Sequence, residues 1–477
     1  MGKKELLIGL APTRRNVFSK EEAGRYKKLI ETRLQSWGVR FINLDWLNDE
    51  GLLYDELDAP RVAQRFLAEG VDAVFAPHCN FGTEGAVGLL ARAIGKPFLL
   101  WGPRDDAPLA DGTRTRDTQC GLFATSKVLR RMGVPFTYVI NSTVDSPEFE
   151  RGFKAFLGAA AAANAFLGAR VGQVDTRPSA FWTVMVNEGE LMERWGIRVV
   201  PTTLVDVEQG VKKLMADPTP MLRDSAADLA RRVDFGKLPP EGVLKFAALK
   251  QWLLEWAERE ALDAIAIQCW DAIQLALGLY PCIADSELTG MGLPVACETD
   301  VHGALTALMA QAAVHYATPI FFADLTIRNP ENENSELLWH CGPFPILLAR
   351  PDSPRRVSDN YIAQNGLYGV AEWQIKGGEV TLARLDGDHG QYSLLMGHAR
   401  GTKGPYTRGT YLWVEMDNWP KWEQKLIYGP YIHHIVGVHA RVAPILAEAC
   451  KYIPGLTPDP VEPNAEEIAA FWRGEEI

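Results

Sequence analysis

Over the first 170 residues, short apolar runs alternate with longer polar or amphipathic stretches. The runs "LLIGL", "RFINL", "AVFAP", "FLLWG" and "FTYVI" are too short for helices and read as buried strands. The segments between them are long enough to be helical, and five βα units in succession predict a parallel, doubly wound sheet of flavodoxin-like type. An alanine-rich stretch, "FKAFLGAAAAANAFLGAR" (153–170), follows. Alanine inserts weakly into bilayers and Asn164 interrupts the run, so a packed helix is expected there and not a membrane span.

A second α/β region is predicted over 171–328, after an N-terminal domain of 1–170. It holds the apolar segments "SAFWTVMV" and "IRVVPTTLV", long helical patterns from about Pro220 to Glu260, and the strands "AIAIQC", "LPVAC" and "IFFAD". The pattern then changes. From 329 to 477, "VAEWQIKGGEVTLARLDGD" alternates apolar and polar residues about Lys376-Gly377-Gly378, which predicts a hairpin. With "QYSLLMGHARG" and "TYLWVEMDNW" it makes this region mostly antiparallel β, as in a small barrel. The stretch "HHIVGVHARVAPILAEACKYI" predicts a terminal helix.

Composition narrows the function classes. With 47% hydrophobic and 23% charged residues the chain is of globular type. Lys and Arg are outnumbered 49 to 60 by Asp and Glu, so there is no basic footprint for nucleic acid or anionic lipid. The apolar run near the N-terminus is too short for a signal-peptide core, and a cytoplasmic protein is expected. Seven cysteines without a CxxC pair give neither a disulfide framework nor a zinc knuckle. No GxGxxG or P-loop follows a strand, and "HCNFGTEGAVGLL" reads as a plain strand-to-helix turn in preference to an anion cradle.

The chemistry concentrates between Leu293 and Asn329, in "LPVACETDVHGALTALMAQAAVHYATPIFFADLTIRN". A strand, a helix capped by Thr299 or Asp300, and a second strand suggest one βαβ unit. Both strands would then end at one sheet edge, where open α/β sheets form their ligand crevice. Glu298 and Asp324 each follow an apolar strand and would meet there, with Gln268, Trp270 and Asp271 at the end of "AIAIQC". His302 falls in the first helical turn, where a satisfied polar role competes with a site contact. His340 in "LLWHCGPFP" and His434 in "GPYIHHIVGVHA" sit in apolar surroundings. Carboxylates with one or two imidazoles form a credible site for Mn2+ or Mg2+.

The motifs "CETDVHGALTALM", "FFAD" and "IHHIVGVHARVAPIL", in this order, resemble the L-fucose and L-arabinose isomerase group of aldose–ketose isomerases. The resemblance implies two Rossmann-like (flavodoxin-like) α/β domains followed by a β-rich C-terminal domain. It also implies a divalent cation, usually Mn2+ with Mg2+ or Co2+ as alternatives, held by Glu298, Asp324 and His434. By the same resemblance Arg14 and Arg15 in "APTRRNVFSKEE", together with Gln268 and Trp270, reach the sugar, and His302 and His340 are site residues. A homo-oligomer is implied, a hexamer with shared active sites, to which "HCNFGTEG" contributes.

Such a set suits ketol isomerisation through a cis-enediol, with Glu298 and Asp324 as the acid–base pair and metal ligands. Pentoses, deoxyhexoses and modified hexoses such as sulfoquinovose remain open as substrates. A lyase or epimerase using the same chemistry, and a non-catalytic sugar-binding protein, are the rival readings.

Overall fold

The computed structural model describes residues 5–363 and 365–475, which form two compact units. One comprises the chain up to Asn164 with the C-terminal helix Ala465–Trp472; the other spans Ala165–Asn464.

In the first unit, strands β1 (Leu7–Leu10), β2 (Arg40–Ile42), β3 (Ala73–Pro77), β4 (Phe98–Trp101) and β5 (Thr137–Tyr138) are the five predicted runs. They form a parallel sheet of order β2-β1-β3-β4-β5, the flavodoxin-like order. β3 and β4 are buried at every position, as continuous apolar runs in a covered parallel sheet should be. The alanine-rich segment is the helix Pro147–Phe166, which buries Phe149, Phe153 and Phe156. Asn164, the polar interruption, donates from Nδ2 to the Asp72 carbonyl at 3.0 Å. No helix among the described residues is long and apolar enough to cross a membrane.

The second unit opens with a smaller parallel sheet of β6 (Arg170–Val174), β7 (Arg198–Thr202), β8 (Ala264–Ile267) and β9 (Val295–Cys297), in the order β7-β6-β8-β9. The segment "SAFWTVMV" forms only a short 3-10 turn at Trp182–Val184. The rest of the chain supplies β10 (Ile320–Arg328), β11 (Ser335–His340), β12 (Arg356–Asp359), β13 (Tyr368–Gln374), β14 (Glu379–Asp388), β15 (Gln391–Gly401), β16 (Thr410–Glu415), β17 (His434–Val438) and β18 (Leu456–Pro460). The run β16-β11-β10-β17-β14-β15 closes on itself through a β15–β16 pairing, an antiparallel barrel that leaves these strands no free edge.

Three expectations are corrected. β10 does not join β9 in a parallel sheet; it pairs antiparallel with β11 and β17 in the barrel, so "LPVAC" and "IFFAD" are not one βαβ unit. The predicted hairpin about Lys376-Gly377-Gly378 is only a bend between β13 and β14, which are not neighbours. β14 instead turns into β15 at His389-Gly390, whose φ values of 48° and 76° suit a tight two-residue turn. Finally, "HHIVGVHARVAPILAEACKYI" is not one helix: it is β17 followed by the helix Ala443–Cys450. A short buried apolar run carries no periodicity that separates strand from helix, and cross-strand partners decide.

The helix Val301–Ala313 is central to this unit. All 13 of its residues are buried, and it contacts β8 and β9 on one side and β10, β14 and β17 of the barrel on the other. That double cover explains its apolar character all round. Burying Leu305, Leu308 and Met309 contributes about 1.5–3 kcal/mol each.

Candidate active site

Glu298 leaves the end of β9 in a left-handed conformation, φ 63°, followed by Thr299 at φ 59°. Two successive non-glycine residues there cost on the order of 1–3 kcal/mol each, a strain typical of functional turns. Thr299 N–H donates to the Ile267 carbonyl at 3.0 Å, tying the turn to the end of neighbouring β8. Asp300 then caps the helix Val301–Ala313, accepting from the Gly303 N–H at 2.8 Å. Gly303 has to be small: a Cβ there lies 2.7 Å from Asp300 Oδ2.

The barrel brings the other half. Asp324 on β10 and His434 on β17 are direct cross-strand partners, so their side chains share one face. His434 Nε2 lies 3.1 Å from Glu298 Oε2 and 3.6 Å from Asp324 Oδ1. The two carboxylates therefore converge on one imidazole, although β9 and β10 belong to different sheets. His433 joins them: Glu298, His433 and His434 each offer a ligand atom within 4.8 Å of one another. Strand alternation gives no reason to select His433, because adjacent strand residues face opposite ways. Here it precedes β17, and its ring lies 4.5 Å from that of His434.

Electrostatics follow from burial and neighbours. Burial opposes a charge on His434, but hydrogen bonds to Asp300 and Glu298 prevail and raise its pKa to about 10. Burial likewise opposes ionisation of Glu298, and His434 outweighs it, holding the carboxyl below its ordinary value. Asp300 is buried too, yet Arg384 and His434 keep it well below the usual carboxylate range. Arg384 is itself buried, bonded to Asp300 and to Asp386 Oδ2 at 2.9 Å. Removing one partner of such a buried pair typically costs about 3–5 kcal/mol.

The remaining predicted residues divide. His340, at the end of β11, has its Nε2 4.0 Å from Asp324 Oδ1, too far for a hydrogen bond. The Cys341 N–H donates to its Nδ1 at 2.8 Å, which places the proton of the neutral ring on Nε2. His340 thus suits a donor better than a cation ligand. Gln268 sits past β8, beside Glu298 at the same sheet edge, and bonds the Trp270 carbonyl, while Trp270 packs edge-on against Tyr280. His302 is buried, with Nδ1 3.0 Å from Asp386 Oδ1. Arg14 and Arg15 lie in the other unit, paired with Glu50 and Glu84 respectively.

The residues fit a divalent cation. Carboxylate oxygens with imidazole nitrogens form a set that hard and borderline ions accept. Asp324 Oδ1, next to His434, is buried and has no hydrogen-bond partner among the described residues.

Residues 9–167 match the family model described as "Fucose/sulfoquinovose isomerase, N-terminal domain". Sulfoquinovose isomerases of Priestia megaterium and Priestia aryabhattai are each 27% identical over 382 residues, covering 79% of this chain and 83% of theirs. That of Alkalicoccus urumqiensis is 26% identical over 300 residues, 63% of this chain and 66% of its own. Fold, cluster and matches together define the class: an aldose–ketose sugar isomerase. Over residues 9–167 the chain is similar to the fucose/sulfoquinovose isomerase family, and the matched relatives are sulfoquinovose isomerases.

Proposed function

We propose that this enzyme is a divalent-cation-dependent isomerase, with Mn2+ as the preferred ion, that interconverts sulfoquinovose or a similar modified hexose and its ketose through a cis-enediol. The observation that carries the reading is the convergence of Glu298 and Asp324 on His434 Nε2 at 3.1 and 3.6 Å. A cation bound by these three residues, with His433 at hand, supplies Lewis-acid polarisation of the substrate's carbonyl and adjacent hydroxyl.

The protein's own groups move the protons. Aldose-to-ketose conversion removes the proton on C2 and delivers one to C1, while a hydroxyl proton shifts between O2 and O1. Glu298, held ionised beside His434, is suited to take the carbon-bound proton and return it to the neighbouring carbon. Asp324 serves as its acid–base partner for the oxygens. His340 donates from Nε2 toward the same space, and Gln268 and His302 contribute to sugar binding. The names of the relatives favour a hexose with an anionic end group; pentoses and deoxyhexoses are the alternative substrates.

A homo-oligomer with shared sites, a hexamer by family resemblance, and a cytoplasmic setting complete the proposal. The test is an aldose panel that includes sulfoquinovose, L-fucose and L-arabinose, each incubated with Mn2+ and with a chelator. Ketose from sulfoquinovose with Mn2+ alone is expected. Absence of ketose from every aldose, in fully metal-loaded protein, overturns the reading.

A further inference from the structure

His434 is held at both ring nitrogens. Its Nδ1 lies 2.8 Å from Asp300 Oδ2. An ionised carboxylate only accepts, so this bond keeps a proton on Nδ1; the second proton, on Nε2 facing Glu298 Oε2 at 3.1 Å, is the one a bound cation would displace, which frees the Nε2 lone pair. Asp300 has little freedom to rotate, because Oδ1 accepts the Gly303 N–H at 2.8 Å and both oxygens receive the guanidinium of Arg384.

Arg384 serves a second pair as well. Its Nε and Nη2 donate to Asp386 Oδ2 at 3.1 and 2.9 Å, and Asp386 Oδ1 takes Nδ1 of His302 at 3.0 Å. One buried guanidinium thus anchors two aspartate–histidine pairs, each gripping its ring by Nδ1. Nε2 of His302 is buried and has no hydrogen-bond partner among the described residues.

We infer that Asp300 and Arg384 are positioning residues that hold His434 in its Nδ1–H tautomer, so that Nε2 meets a divalent cation in the Glu298–Asp324 space without reorienting. This rests on the proposed role of His434 as a ligand. Outer partners of this kind orient ligating imidazoles and raise their basicity. Asp300 does so while also capping a helix, which ties the tautomer of His434 to the start of Val301–Ala313.

The experiment measures Mn2+ affinity by calorimetry for the wild type, His434→Ala, Asp300→Asn and Arg384→Lys. Asparagine keeps the cap through Oδ1 but donates from Nδ2, which drives the ring proton onto Nε2. A loss of about 10–100-fold is expected for Asp300→Asn, and a smaller loss, of at least about threefold, for Arg384→Lys, which forfeits the fork. Nitrogen-15 spectra of histidine-labelled wild type loaded with Mg2+ read the tautomer directly, whether or not the variants fold. A His434 signal bearing its proton on Nδ1 is expected. A signal protonated on Nε2, or variants within twofold of wild type while His434→Ala loses binding, overturns the positioning role alone. Unchanged affinity in His434→Ala overturns the ligand assignment and this inference with it.

Discussion

Glu298 reaches His434 across two layers of the fold: its Oε2, just past the parallel sheet, lies 3.1 Å from Nε2 on a barrel strand. Neither sheet alone makes a site. The contact exists because the buried helix Val301–Ala313 holds sheet and barrel together from its two sides.

Replacing Glu298 by Gln keeps the shape of the side chain and removes the base. We expect kcat to fall by about 10²–10⁴-fold, the usual contribution of a positioned acid–base group, with the melting temperature of the metal-free protein little changed. Steady-state turnover with sulfoquinovose and Mn2+, beside a thermal melt, checks this. A variant retaining more than a tenth of wild-type kcat rules Glu298 out as the base.

Removal of the cation is predicted to act on both activity and stability. Dialysis against a chelator abolishes turnover, and Mn2+ restores it. At a free ion concentration about 100 times Kd, binding to the folded state alone adds about 2.7 kcal/mol. Scanning calorimetry across a Mn2+ series reads this as a rising melting temperature, and a melting temperature independent of Mn2+ contradicts it.

Asp386→Asn reverses the hydrogen bond that His302 Nδ1 makes at 3.0 Å. His302 lies outside the predicted ligand set, so the variant should lower kcat/KM by about tenfold or more while its Mn2+ affinity stays within about threefold. Parallel loss of both quantities would mean that Arg384, which Asp386 also holds, has moved.

Glu336 on β11 gives a pH prediction away from the site. Burial, partly offset by Arg328, raises its pKa to about 7 from an ordinary value of 4.5. The folded state therefore prefers the protonated form: its contribution is complete below pH 4.5 and is lost as the pH rises through 7. Glu336→Gln should match wild type at pH 4.5 and exceed it by about 1–3 kcal/mol at pH 8, measured by urea unfolding. Equal stability at both pH values would show the carboxyl to be solvated.

Much of this was legible along the chain. The five N-terminal strands could be read because a covered parallel sheet makes each strand a short, continuous apolar run. Glu298 stood out as a carboxylate directly after such a run, and Asp300 as a cap before a helical pattern. The sequence pattern points Glu298 and Asp324 to one edge of a shared parallel sheet, a sheet that the structure does not form. The structure brings Asp324 to His434 through antiparallel pairing and Glu298 to the same imidazole across the layers. His433 and Arg384 left no local signal. One is a neighbour in a His-His pair, and the other is a charged residue in an alternating strand whose partners, Asp300 and Asp386, only the folded chain brings together.

By itself the sequence determined the five N-terminal strands, the capped helix that follows Asp300, and where isolated carboxylates and imidazoles follow apolar runs. Those properties are local, because side-chain periodicity and capping act within a few residues. The tertiary structure decided which strand lies beside which, and so which of those groups share a space. Hydrophobic alternation specifies the face a residue occupies but not its neighbour across the ladder, and at this site the neighbour makes the chemistry.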